Sequence, residues 1–241
     1  MTQKTVICMK WGTDLYNAEY INRLYRGVKR HLSPPFNFVC FTDNADDVDA
    51  GIDARDLQML SFEPAVTGMA RKLALMHPKA NLHGTCLFLD LDIVITGNLD
   101  DFFTYPGKFC IIHNWIERRK QIFRRRPLNG NSSVYRFVAG AHPQALEKHL
   151  ANPEVRPNQA FLTRAVGLEN ITWWPEEWVR SFKRHAHPVY PLNKFLAPKI
   201  PPGCRILAFH GKPNPDDAIA GINCGGYKHS LPMPELAQYW R

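Results

Sequence analysis

Thr85-Cys86-Leu87-Phe88-Leu89-Asp90-Leu91-Asp92-Ile93-Val94-Ile95-Thr96-Gly97-Asn98-Leu99-Asp100-Asp101-Phe102-Phe103 holds the pattern to which the remaining segments refer. The apolar run Cys86 to Leu89 has the length and flanks of a buried strand, charge arrives at its end, and a second apolar run follows at Ile93-Val94-Ile95. Side chains two apart on a strand share a face, with Cα atoms about 6.5 Å apart. Asp90 and Asp92 can therefore converge on one object while Leu91 turns into the core. Unpaired carboxylates beside a core cost on the order of several kcal/mol unless something neutralises them. A divalent cation does so and keeps positions open for phosphate oxygens. A strand leaving the core for a solvated turn is the alternative for any Asp-x-Asp; the apolar flanks on both sides favour the cation.

The chain around this stretch has 241 residues, 45% hydrophobic and 12% aromatic, enough for one sizeable α/β domain spanning 1–241. Its apolar runs fall short of the ~18 residues of a membrane span. Met1-Thr2-Gln3-Lys4 leads into strand-like sequence rather than a leader peptide, so a cytoplasmic location is expected. Six cysteines show no C-x-x-C spacing and mostly occupy apolar segments, the usage of buried free thiols in a reducing compartment. The net charge of +8 points to an anionic partner: a nucleotide, a polyanion or a membrane surface. Much of it is local, in Arg118-Arg119-Lys120 and Arg124-Arg125-Arg126. That run is either a solvated face or, with Trp115, Ile116, Ile122 and Phe123 among the charges, a contact for an anionic acceptor or the inner face of a membrane. No nucleic-acid motif accompanies it.

Before the central stretch the chain alternates. Thr5 to Met9 reads as a strand, Lys10 to Asp14 as the loop at its carboxyl end, and Tyr20, Ile21, Leu24, Tyr25, Val28 and Leu32 as a helix stopped at Ser33-Pro34-Pro35. Asn17 is placed to cap that helix. Phe36 to Phe41 predicts a second strand ending at Asp43, Leu57 to Leu60 a short third one, and Ala70 to His77 a helix with Leu73 and Met76 inward. Strand and helix alternation predicts a mostly parallel sheet whose ligands gather at the carboxyl ends of its strands. Lys10, Trp11 and Asp43 fall on that edge, where the indole can stack on a base or simply pack the loop. Arg71 and Lys72 can reach a phosphate or serve as helix-surface charges.

After it, Leu99 to Phe103 predicts a helical turn and Phe109 to His113 a strand. Asn129-Gly130-Asn131-Ser132-Ser133 opens another strand over Val134 to Ala139, with polar groups suited to sugar hydroxyls or to a turn. Pro143 to Leu150 and Gln159 to Val166 read as helices. Trp173-Trp174-Pro175-Glu176-Glu177-Trp178 reads as an aromatic wall for a carbohydrate or as a core seam, in an irregular Pro- and Trp-rich wrap. Arg205 to Phe209 reads as a strand delivering His210-Gly211-Lys212-Pro213: a metal nitrogen, a close backbone approach and a point charge.

Phe88-Leu89-Asp90-Leu91-Asp92, Asn98-Leu99-Asp100-Asp101-Phe102-Phe103 and Phe209-His210-Gly211-Lys212-Pro213, in that order, resemble the motifs of GT-A fold nucleotide-sugar glycosyltransferases. Within that fold the likeness is to family eight, the glycogenin-like and lipopolysaccharide galactosyltransferase-like enzymes. The resemblance implies a GT-A, Rossmann-like sheet flanked by helices, and Mn²⁺ or Mg²⁺ held by Asp90, Asp92 and His210. It further implies a nucleoside diphosphate sugar donor, with UDP the expected base, Lys212 on its pyrophosphate and Arg71 or Lys72 as the family's basic residue before the metal strand; Lys10, Trp11, Gly12, Asp43, Leu91 and Gly211 are the other candidate donor contacts. Asn158-Gln159 takes the place of the family's Asp-Gln pair near the reacting carbon, an amide standing where the acid is usual. Asn131, Ser132, Trp174 and Glu176 are the candidate contacts for a glycan or glycolipid acceptor. A front-face, retaining mechanism needs no protein nucleophile; an inverting one would draw its base from Glu176 or Glu177. Two other readings stand beside this one: a catalytically silent sugar- or nucleotide-binding module, and a haloacid dehalogenase-like phosphatase with Asp216-Asp217 as its late acidic pair.

Overall fold

The structure, a computed structural model, describes residues 3–12, 16–64, 66–115, 128–155 and 157–241. The basic run Arg118 to Arg126, the expected acceptor or membrane contact, lies outside the described residues. Among the described residues no helix is long and apolar enough to cross a membrane.

The strands are β1 (Lys4–Lys10), β2 (Asn37–Thr42), β3 (Asp53–Asp56), β4 (Thr85–Leu89), β5 (Ile93–Ile95), β6 (Phe109–His113), β7 (Gly130–Val138), β8 (Ile171–Trp173), β9 (Val179–Ser181) and β10 (Ile206–Ala208). The helices are α1 (Ala18–His31), α2 (Ala70–Ala74), α3 (Asp100–Thr104), α4 (Gln144–Leu150), α5 (Gln159–Val166) and α6 (Pro215–Ala220). The main sheet runs β3-β2-β1-β4-β7-β6-β8. It is parallel from β3 through β4, antiparallel where β7 inserts between β4 and β6, and parallel again between β6 and β8. This is the mostly parallel, helix-flanked sheet that the alternation predicts.

Period-two alternation splits the core between the two faces of this sheet. Ile7, Met9, Val39, Phe41 and Phe88 join one cluster with residues of α2, α4 and α5. Val6, Cys8, Phe38, Cys40, Leu87 and Leu89 join the other, with Ile21, Leu24 and Val28 of α1. Those three sit on one helical face, while Glu19 in the first turn and Lys29, Arg30 and His31 in the last complement the helix dipole. Asn17 holds the N-cap position of α1 but makes no capping hydrogen bond with its side chain. Cys8, Cys40, Cys86, Cys110 and Cys204 are buried free thiols, and Cys224 is exposed.

A small second sheet, β5-β10-β9, carries the chain out of β4 and brings the late segment back beside it. β10 pairs antiparallel with β5 at Ala208↔Ile93 and parallel with β9. Val94, Phe182, Leu207, Phe209, Leu236 and Trp240 pack behind this sheet. The end of the chain wraps over α1: Arg23 lies 5.4 Å from the Trp240 ring and Arg30 donates to Tyr239 O at 2.6 Å.

Two local expectations are corrected. Leu57 to Leu60 is a 3-10 turn rather than a strand, because Asp56 Oδ1 accepts from Gln58 N at 2.8 Å and Leu57 and Leu60 bury together three apart. The strand of that region is the preceding Asp53–Asp56, pairing with β2. The Asp-x-Asp, expected as an extension of the strand, is a turn between β4 and β5. Leu91 is buried as expected.

Candidate active site at the turn between two sheets

The turn is fixed from three sides. Asp90 N donates to Ser133 O at 2.9 Å, which ties it to β7, and Phe209 N donates to Asp92 O at 3.0 Å, which ties it to the end of β10. From α2, Lys72 reaches in with its side chain buried and donates to Asp90 Oδ1 at 2.6 Å and to Ser132 O at 3.1 Å. Tyr135 OH donates to Lys72 O at 3.2 Å. Asp92 receives the Tyr16 hydroxyl at 3.1 Å.

These contacts explain the polar residues that open β7. Asn131, Ser132 and Ser133 are buried, and Asn131 Oδ1 accepts from Ser133 N at 2.9 Å. Asn131 and Ser132 were expected at an acceptor surface; the structure instead uses them as the floor under Lys72 and Asp90, because polar groups enter a core only where each finds a partner.

A cleft of about 350 Å³ opens over the turn, lined by Lys10, Trp11, Tyr16, Lys72, Asp90 and Asp92. Its far wall is the loop at the carboxyl end of β1. Asp43, at the end of β2, accepts from Gly12 N at 2.6 Å and from Lys10 Nζ at 3.4 Å. The Gly12 N–H first, and the Lys10 ammonium after it, hold the Asp43 carboxyl below its usual range. Trp11 is 43% exposed, a ring presented at the rim rather than packed away. Arg71 is turned from the cleft and donates to Ser61 Oγ at 3.2 Å.

The electrostatics of the turn are unbalanced. Burial, and then the neighbouring Asp90 charge, push the Asp92 carboxyl up to about 7. Burial and the adjacent carboxylates push the Tyr16 phenol up as well, so it stays protonated and donates. His210, just beyond β10, is driven down to about 4 by burial and is neutral at physiological pH. Its Nε2 is buried with no hydrogen-bond partner among the described residues, and its ring lies 5.1 Å from that of Trp115. A neutral imidazole nitrogen with nothing to bind, and a carboxylate raised by a like charge, are the donor types a divalent cation takes. Among the described residues, however, no three His, Cys, Asp or Glu side chains are gathered into a ready metal cage. Asp90, Asp92 and His210 fit a cation in chemistry, and Lys72 supplies the counter-charge at Asp90.

The remaining residues separate. Gly211 takes φ +62°, and no heavy atom lies within 4 Å of where a Cβ would stand, so the backbone there is open to close approach. Lys212 is exposed and pairs with Asp217 Oδ2 at 3.0 Å. The Asp216-Asp217 pair is otherwise engaged: Asp216 with Arg23 at 2.7 Å, and Asp217 in the capping box of α6 with Asn214. Asn158 Oδ1 caps α5 by accepting from Phe161 N at 2.9 Å, a structural duty for a residue expected at the reacting carbon. Gln159 beside it accepts from Asn114 Nδ2 at 3.2 Å, one residue from Trp115.

Trp174 is corrected outright: it is 4% exposed, packs 4.9 Å from Phe102 and 5.7 Å from Tyr105, and belongs to the core seam. Glu176, two residues on, is exposed. Tyr16 and Asn114 were not anticipated, and Trp115, expected among the apolar groups of the basic run, packs by His210. Tyr16 sits in a loop without periodicity, and its contact with Asp92 spans 76 positions.

No family model matches the chain, and no curated protein sequence does. Solved structures do. The galactosyltransferase LgtC, in complex with donor and acceptor sugar analogues, superposes with TM-score 0.58 at 10% identity over 88% of each chain. GlyE, a glycosyltransferase of Streptococcus pneumoniae TIGR4, gives 0.60 at 12% identity over 99% of this chain and 60% of its own. A glutamine-to-glutamate active-site mutant of LgtC gives 0.58 at 11% identity, covering 88% of this chain and 89% of that one. At these identities the likeness is one of fold, and it is the glycosyltransferase fold that the motifs resemble.

Proposed function

We propose that the protein is a metal-dependent glycosyltransferase that moves a sugar from a nucleoside diphosphate sugar, UDP being the expected base, to a glycan or glycolipid acceptor with retention. One observation carries this reading: a cleft at the carboxyl ends of β1 and β4 whose floor is Asp90 and Asp92, with Phe209 N bonded to Asp92 O and the next residue, His210, leaving its Nε2 without a partner among the described residues. Asp90 and Asp92 after β4 and His210 just beyond β10 are donor types that suit a cation on a pyrophosphate. The fold shared with sugar-transferring enzymes favours this reading over a phosphatase.

Each wall then has a task. Trp11 offers a face for a planar base, and Asp43 holds the Lys10-Trp11-Gly12 loop in place for it. Leu91 is the apolar peg that seats the turn. Asp90, Asp92 and His210 would hold Mn²⁺ or Mg²⁺, which when bound stabilises charge growing on the leaving diphosphate. Lys212, exposed beside an open Gly211 backbone, is free to exchange Asp217 for a phosphate. Lys72 stays on Asp90 and sets its position. Gln159, held by Asn114, offers an amide dipole to an electron-poor sugar carbon without forming a covalent bond; the solved active-site mutant of LgtC likewise alters a glutamine. Glu176 is the exposed carboxylate to examine if the reaction inverts. We place the enzyme in the cytoplasm, with all of residues 1–241 serving one catalytic unit.

A silent binding module is the second reading, favoured by the Lys72 to Asp90 ion pair, which neutralises one carboxylate without a cation. Thermal unfolding with a panel of nucleoside diphosphates and sugar nucleotides, with and without Mn²⁺, tests both, since a ligand bound to the native state raises Tm by mass action. A Mn²⁺-dependent rise for one base, with slow Mn²⁺-dependent release of that diphosphate from its sugar nucleotide, is expected. Binding without any turnover would favour the silent module, and no rise with any nucleotide would overturn the donor site.

A further inference from the structure

The segment 187–199 is folded inside out. Its 3-10 turn, Leu192–Lys194, buries the polar residue and exposes the apolar ones: Asn193 is fully buried, whereas Tyr190, Leu192, Phe195 and Leu196 are exposed, Phe195 to 76%. Looseness does not account for this. Asn193 Nδ2 donates to Gly226 O at 3.1 Å and to His229 O at 2.7 Å, His187 Nε2 pairs with His229 O at 2.9 Å, and Phe195 N and Leu196 N each donate to Leu192 O at 2.9 Å. A segment pinned by its one amide, with four large apolar side chains outward, spends burial it could have used.

The same bonds join this segment to the turn at 226–229, which presents Tyr227 at 73% exposure. Between the two turns lies a groove of about 820 Å³, walled by Val189, Tyr190 and Tyr227 together with Lys183, Arg184 and Lys228. Cations rim the apolar surface. Lys194 lies 5.5 Å from the Tyr190 ring centroid and Lys228 5.9 Å from that of Tyr227. Among the described residues none of Arg184, Lys194 and Lys228 forms an ion pair, and the one carboxylate in the groove wall, Asp217, is spent on Lys212. Exposed aliphatic and aromatic tips ringed by unneutralised lysine and arginine are the complement of one surface: acyl chains beneath anionic headgroups.

We infer that the paired turns 188–196 and 226–228 form a docking face for an anionic lipid bilayer, with Phe195, Leu196 and Tyr227 entering the interface and Lys194, Arg184 and Lys228 meeting the headgroups. None of these six residues lines the cleft over Asp90 and Asp92 or is given a part in the catalytic reading, although the groove they edge also reaches Lys212.

The test is co-sedimentation of the full chain with vesicles of phosphatidylcholine alone and of phosphatidylcholine with phosphatidylglycerol. Binding is expected to the anionic vesicles and to weaken with salt. Phe195→Ser with Leu196→Ser lowers partitioning by about tenfold or more. Lys194→Gln and Lys228→Gln each lower it about fivefold on anionic vesicles only. All four side chains are exposed, so Tm holds, and nucleotide-induced stabilisation in solution is unchanged whether or not the donor assignment is right. No binding to anionic vesicles overturns the inference. So does binding that survives Phe195→Ser/Leu196→Ser and is lost on neutralising Arg124, Arg125 and Arg126. A vesicle-free dimer that these serine substitutions dissociate also overturns it, in favour of a second copy of the chain.

Discussion

Lys72 Nζ stands 2.6 Å from Asp90 Oδ1, with the lysine 6% and the aspartate 28% exposed. The charge on the floor of the cleft is thus already half-answered from beneath, by a helix that precedes β4 in the chain. Removing one partner of a pair this sheltered leaves the other charge uncompensated. Lys72→Met is expected to lower stability by about 1–3 kcal/mol and to abolish nucleotide-induced stabilisation, read by thermal and urea unfolding. A variant as stable as the parent would mean that water, not Lys72, satisfies Asp90.

Asp92 makes the ligand-free protein sensitive to pH in a defined direction. Its carboxyl titrates at about 7 when folded and at about 3.9 when unfolded. The folded state therefore holds the proton more tightly, and stability falls as pH rises from about 4 to about 7. His210 acts oppositely: at about 4 folded against about 6.5 unfolded, it costs stability as pH falls through that window. Asp92→Asn isolates the first effect. It should stabilise the metal-free protein by about 1–3 kcal/mol at about pH 8, and the gain should shrink as pH falls toward about 4, below which Asp92 is protonated in both states. A gain independent of pH would show that Asp92 is ionised throughout.

Among the described residues His210 Nε2 is buried without a hydrogen-bond partner, so its imidazole contributes little that an apolar group of similar size would lose. His210→Leu is expected to keep or raise Tm without metal while lowering Mn²⁺ affinity at least about 100-fold, measured by titration calorimetry. Unchanged affinity would remove His210 from the ligand set.

The two tryptophans expected to face ligands should part company. Trp174 is packed against Phe102, Tyr105 and Trp178, so Trp174→Ala should cost about 3–5 kcal/mol and give little soluble protein. Trp11→Ala, at the rim, should change stability by no more than about 0.5 kcal/mol and weaken nucleotide binding, seen as a smaller ligand-induced rise in Tm. Equal behaviour of the two would undo the contrast between seam and rim.

Asn158 is a cap before it is anything else. Asn158→Ala should cost about 1 kcal/mol, and Asn158→Asp should restore it, because either side chain accepts the Phe161 N–H equally well. Should Asn158→Asp be as unstable as the alanine variant, the cap is not what the residue supplies.

Most of the frame could be read in the chain because strong periods are local. β1, α1 and β2 announce themselves by alternation and by a three-and-four repeat, and the apolar runs on both sides of Asp90-Leu91-Asp92 mark β4 and β5. Reading failed where a partner distant in sequence overrides the local pattern. Gly130 to Ser133 has the composition of a turn, yet it is buried strand because Lys72, Asp90 and Thr163 satisfy its polar groups. Leu57 and Leu60 look like strand residues until Asp56 caps them. Trp173, Trp174 and Trp178 carry no period that separates a seam from a wall. For the site, side-chain types and motif order singled out Asp90, Asp92 and His210 as candidates, whereas the contacts of Tyr16 and Asn114 appear only once the loops are folded.

The pairing of β5 with β10 also sets an order of events. Ile93 and Ala208 lie more than a hundred residues apart, yet their ladder, continued by Phe209 N on Asp92 O, is what brings the segment opening with His210 to the turn. Contacts of such separation incur their loop-closure entropy before they return any stability. During refolding the β1-α1-β2 unit and its neighbours can close on short loops, while the ladder that completes the cleft waits for the intervening chain to collapse. Nucleotide-responsive protein should then emerge after far-ultraviolet ellipticity has recovered, and the interval between the two signals is a clock for the closing of the small sheet.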